Sequence, residues 1–199
     1  MGASSVPARS TVRCRALLAA AAPLLLLGLG ACTTGDATTS DVGVAPGATA
    51  QCDSPEFPPV QFGSHLIGDA DPPVPYSSTP PTSGWHASGA FQIDVQPPDE
   101  PLRESVQVSI AEVGAVVVTY RDVDDADRAR LEEAVHTRYA GRVAVTPYDQ
   151  LDPGAMTRAA YGVLQRCEGI DLDAVDAFVE SYAAEQPGVP GADASPRQR

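Results

Sequence analysis

Proline distribution constrains this chain more than any other feature. Eleven of its nineteen prolines fall between Cys52 and Pro101, among them Pro58-Pro59, Pro72-Pro73, Pro80-Pro81 and Pro97-Pro98. Each removes a backbone donor and collides with the preceding helical turn, so no long helix can cross this stretch. The sequence predicts ordered loop with short extended pieces here. Its apolar residues Phe57, Phe62, Leu66, Tyr76, Trp85 and Phe91 are expected to pack the loop onto a regular layer.

That layer must come from the residues that follow. The run from Ala115 to Tyr120 is rich in β-branched side chains and reads as a buried strand. A helix is predicted over Asp122 to Ala140, where Leu131, Ala134, Val135 and Tyr139 recur at helical spacing. Arg142 to Thr146 reads as a short strand, and Met156 to Leu164, begun after Pro153-Gly154, as a second strand with a helix as the alternative. Asp171 is placed to cap a last helix whose Leu172, Val175, Phe178, Val179 and Tyr182 share a face. The expected fold class is α+β: a small sheet with two packed helices, preceded by the proline-rich ordered loop region.

The N-terminus carries information of another kind. Arg9, Arg13 and Arg15 precede an apolar run from Ala16 to Leu29 that is interrupted by Pro23. At about fifteen residues the run is shorter than the roughly 20 a spanning helix needs. It ends in Leu29-Gly30-Ala31-Cys32 and resembles a bacterial lipoprotein signal peptide, with those four residues as the lipobox. The resemblance implies cleavage before Cys32 and acyl chains such as palmitate on that residue. It places the mature chain at the cell membrane, lipid-anchored on the extracytoplasmic side, where two chains hold firmly and one is marginal. The expected division is therefore a signal over 1–31, a flexible tether over 32–51, one α+β domain over 52–186 and a disordered tail over 187–199.

Charge and cysteine usage follow from that division. Removing residues 1–31 leaves 199 − 31 = 168 residues. The net charge moves from −13 to −16, because three arginines are lost and no acid precedes Asp36. So acidic a surface excludes nucleic acid, whose phosphates need basic partners, and flat docking on anionic lipid. Cys14 leaves with the signal and Cys32 is lipidated, so Cys52 and Cys167 are left to pair outside the cytoplasm. Their bridge would close a loop of 167 − 52 = 115 residues. In the chain-entropy model such a loop contributes about 4–5 kcal/mol. No Cys-x-x-Cys is present, so the bridge is expected to stabilise rather than to react.

Few side chains suggest chemistry. Asp122, Asp124 and Glu133 fall at positions 1, 3 and 12 of a calcium loop, but Ala126 and Asp127 occupy positions that need a ligand and a glycine. A helix N-terminus explains those acids better. His136 is expected to be solvated in mid-helix. Ser83 lies three residues before His86, without the glycine-flanked elbow of a serine hydrolase. His65 and His86 share the proline-rich half and have no zinc-finger spacing.

Gly63-Ser64-His65, Tyr76 and Pro80-Pro81-Thr82-Ser83-Gly84-Trp85-His86 resemble the opening of a family of unknown function, number 3105. That family carries a His, then a Tyr, then a Pro-Pro-x-Ser-Gly-x-His segment. Its Leu-Glu-His-Gly segment and Ala-Trp-Gly strand are answered by Glu112-Val113-Gly114 and by Ala160-Tyr161-Gly162. The resemblance runs from about Cys52 to Gln186. Two family histidines fall on Ser109 and Val113, and valine cannot coordinate a metal. The expectation is a non-catalytic, lipid-anchored domain that uses no cofactor and binds another envelope protein or polymer. The alternative is a copper- or zinc-binding lipoprotein using His65, His86 and a carboxylate such as Glu112.

Overall fold

The computed structural model describes residues 51–185. The signal segment, Cys32, the tether before residue 51 and the tail from 187 lie outside the described residues. Ten elements are formed: β1 (Gln51–Cys52), β2 (His65–Leu66), β3 (His86–Ala87), α1 (Glu104–Glu112), β4 (Val116–Tyr120), α2 (Asp125–Arg138), β5 (Val143–Pro147), β6 (Ala155–Ala160), β7 (Val163–Glu168) and α3 (Leu172–Tyr182).

The five-stranded sheet has the order β1-β7-β6-β4-β5. β4 and β5 run parallel with α2 as their crossover, and the other pairs are antiparallel. All five residues of β4 are buried, as a central strand covered on both faces requires. One face (Val116, Val118, Val143, Val145, Met156, Val163) meets Leu131 and Val135 of α2 and Val175, Phe178 and Val179 of α3. The other face presents Val117 and Ala144 to Val106 and Ile110 of α1. Fully burying one such valine or leucine stabilises the fold by about 1.5–3 kcal/mol, and the two faces together supply most of the core.

The α+β class expected from sequence is found, with two corrections. Three helices form where two were expected. α1 escaped detection because Ser105, Gln107 and Ser109 interrupt its apolar residues. Residues 105–111 are nevertheless all buried. Ser109 Oγ lies 2.8 Å from the Ala87 carbonyl and 2.9 Å from that of Ser105, and Gln107 Nε2 donates to Leu102 O at 2.9 Å. Buried polar groups that are satisfied in this way cost little, but they erase the periodic signal. The second correction divides Met156–Leu164 into β6 and β7, joined by Tyr161-Gly162. Ala160 pairs with Val163 across that turn, and Gly162 supplies the φ of +71°.

The two predicted helices form as α2 and α3. Asp124 and Asp171 cap α2 and α3, the latter accepting from Asp173 N at 3.0 Å and Ala174 N at 3.1 Å. The disulfide joins Cys52 to Cys167, directly opposed on β1 and β7. Between β1 and α1 the chain crosses itself. β2 and β3 pair in parallel, His65 opposite His86. Just before that pair, a Cβ on Gly63 would overlap the carbonyl carbon of Gly84. Only hydrogen fits between the two backbones.

Candidate functional site

The proline-rich arm folds around Pro80–Gly84, all of it buried. Thr82 O accepts from Gly162 N at 3.1 Å, which ties the segment to the β6–β7 turn. Ser83 Oγ accepts from Gln61 N at 2.9 Å, and Tyr76 Oη donates to Trp85 O at 2.6 Å. Burial, with Glu104 nearby, raises the Tyr76 hydroxyl to about 12, so it donates throughout the physiological range. Gly114 is buried behind α1, and its carbonyl accepts from Ala184 N at 2.7 Å.

These contacts bring His86 to a fixed place. Its side chain is only 8% exposed, and Nε2 lies 3.0 Å from Glu112 Oε2 at the end of α1. Nδ1 lies 3.0 Å from the Gly84 carbonyl, which can only accept, so Nδ1 carries a proton. The exposed His65 ring stands edge-on to His86, with centroids 4.5 Å apart. The structure thus gathers His65, His86 and Glu112 from three separate elements. Ser109 lies beside them on the Ala87 carbonyl. Val113, the other position where the family has a histidine, is 40% exposed one residue after Glu112.

The chemistry open to this cluster is narrow. Ser83, with its hydroxyl at the Gln61 amide, is not joined to His86 as a nucleophile would be. Among the described residues no three His, Cys, Asp or Glu side chains are arranged to hold a metal ion. A metal would have to displace Glu112 from His86 Nε2. The other suggestive residues serve local structure. Asp125 and Asp127 pair with Arg128 and Arg130 along α2, at 3.1 and 2.8 Å. His136 is exposed and 3.4 Å from Asp94.

Two features were missed from sequence. Phe57 and Phe62 were expected to pack, yet Phe62 is 95% exposed and Phe57, edge-on to Tyr182, is 60% exposed. Ile67, also on the arm, is 91% exposed. Arg158, within the strand expected over 156–164, is fully buried. Its signal was its parity: it shares a face with Met156 and Ala160, where an apolar residue is the rule.

The site is therefore a histidine–carboxylate cluster at the seam between a proline-rich arm and a helix-covered mixed sheet. The chain belongs to the family described as protein of unknown function (DUF3105), whose model matches residues 69–198. That span includes the Pro-Pro-Thr-Ser-Gly segment, His86 and Glu112, but not His65. No curated protein matches the chain, and no solved structure matches it.

Proposed function

We propose that this chain is a lipid-anchored, extracytoplasmic interaction domain, fixed by Cys32 and binding another envelope component through its proline-rich arm. The observation that carries the reading is the exposure of Phe62 and Ile67 on either side of His65. Two large apolar side chains so fully in water, close in sequence on a backbone held by specific hydrogen bonds, offer a partner apolar area to cover. The acidic net charge directs the domain away from anionic lipid and nucleic acid, which leaves protein or polymer.

A photo-crosslinking residue placed in cells at Phe62, at Ile67 and at Arg130 of α2 tests the surface. Discrete adducts at the first two positions and none at the third are expected. Equal labelling at all three, or none, would exclude the reading. The anchor is tested separately by Cys32→Ala, which should leave an unprocessed, unlipidated precursor. Continued cleavage at the same bond with lipid still attached would refute the lipobox.

One observation favours a second reading, a copper or zinc site. His86 Nδ1 is held by a backbone carbonyl and Nε2 points at a carboxylate, the orientation metal-bound histidines share. His65, His86 and Glu112 would have to rearrange to serve as three ligands, since no three described side chains are arranged to hold an ion. Stoichiometric zinc or copper in the purified chain, lost in His65→Ala and in His86→Ala, would establish it.

A further inference from the structure

The disulfide has a companion that a purely structural bridge does not need. Arg158 is 0% exposed and enters none of the ion pairs formed among the described residues. Its guanidinium donates to Gln165 Oε1 at 2.9 Å, to Cys167 Sγ at 2.9 Å and to Cys52 Sγ at 3.1 Å. Nε finds no partner. Burial draws this group down to about 10, and Asp171 and Tyr139 offset that only in part.

A buried cation with no anion in contact is one of the costliest arrangements in a protein core, even with the Asp171 charge nearby. Disulfide sulfurs are neutral and weak acceptors, so they repay little of that cost. Opening the bridge would supply the missing anion at the right place, a thiolate within hydrogen-bond distance of the guanidinium. The two sulfurs are also unequal. Cys167 is 4% exposed, whereas Cys52 is half-buried on the edge strand β1. An incoming thiolate can reach Cys52 and leave Cys167 to depart.

We propose that Cys52, Cys167 and Arg158 form a thiol–disulfide exchange site whose partner is a dithiol reductant. The partner's thiolate attacks Cys52 Sγ and forms a mixed disulfide. The Cys52–Cys167 bond breaks, and its electron pair goes to Cys167 Sγ, held as a thiolate by Arg158. The partner's second thiol loses its proton and attacks the partner's own sulfur in the mixed disulfide. That closes the partner's disulfide and frees Cys52. Two electrons have entered the pair; one of the two thiol protons ends on Cys52 and the other in solvent. Gln165 holds the other arm of the guanidinium and is a positioning residue. The absence of Cys-x-x-Cys separates this site from the thioredoxin pattern, but Arg158 supplies the thiolate stabilisation from another direction.

The test equilibrates the purified chain with graded dithiothreitol, counts free thiols by alkylation and follows far-ultraviolet dichroism in parallel. The bond should open while the fold persists, and absorbance at the thiolate band should show one thiol titrating well below the ordinary value near 8.5. Arg158→Met removes the charge at nearly the same length. It should lower the reduction equilibrium constant at least tenfold, about 30 mV for two electrons. A constant changed less than twofold, an ordinary thiol titration, or opening only on unfolding would each overturn the proposal. Should Arg158→Met fail to fold, the titration of the unaltered chain decides alone.

Discussion

The sheet and the arm before it are stabilised in opposite ways. β4 and β5 are held by volume: their valines are buried between helices, and no one contact is indispensable. The arm is held by a few specific devices: one disulfide, one backbone crossing at Gly63 and Gly84, and hydrogen bonds from Tyr76 and Gln61. The difference teaches where damage spreads. A lost methyl in the sheet costs a cavity that neighbours partly fill. A lost device in the arm loosens a stretch of chain that has few other anchors, such as the Glu56–Leu164 backbone bonds.

Breaking the disulfide tests this contrast most severely. The double change Cys52→Ser with Cys167→Ser should lower stability by about 4 kcal/mol, from the entropy returned to a loop of 115 residues. Hydrogen exchange should rise first in residues 52–66 and last in β4. Uniform loss of protection would show that arm and sheet unfold as one unit.

The backbone crossing comes next. Gly63→Ala should cost about 3 kcal/mol, because the added methyl has backbone rather than a flexible side chain to displace. Val118→Ala in the sheet, by comparison, should leave arm protection unchanged. If both variants perturb the same amides, the two regions are not distinct.

His86→Ala asks whether the cluster supports the arm or only decorates it. Loss of the buried contact with the Gly84 carbonyl and of the partly exposed Glu112 pair should lower stability by about 1–2 kcal/mol, several degrees in Tm. An unchanged Tm together with lost crosslinking at Phe62 would make His86 a pure contact residue.

Tyr76→Phe should have the smallest effect, about 1 kcal/mol, confined to the Trp85 carbonyl left without its donor. It also has a pH signature. The hydroxyl is raised from 10 to about 12 in the fold, so its contribution is complete below pH 10 and is lost as pH climbs toward 12. The stability gap between wild type and Tyr76→Phe should therefore close over that interval. A gap constant to pH 12 would mean that folding does not shift the titration of this hydroxyl.

Legibility divided along the same line. β4, β5, the Asp171 cap and the cysteine pair could be read because period, cap chemistry and pairing are local or countable properties. α1 could not, because Ser105, Gln107 and Ser109 break its apolar period and find partners only in the fold, such as the Ala87 carbonyl for Ser109 Oγ. The meeting of His65, His86 and Glu112 was visible as a list of candidate ligands. Their distances were not, since they follow from a crossing that only the missing Cβ of Gly63 permits. Phe62 was misplaced for a related reason: apolarity favours burial, but nothing in composition says whether an irregular chain turns a given side chain inward.

The pairing of β1 with β7 also sets an order in time. A chain made from its N-terminus presents Cys52 long before Cys167 exists. Until the last strand arrives, the arm has no β7 to lie beside and no β6–β7 turn for Thr82 to grip. The segment made first is thus completed last. During that interval a thiol, two bare aromatic rings and an unpaired strand are offered to whatever else is nearby. Any helper that attends this protein would find its opportunity there.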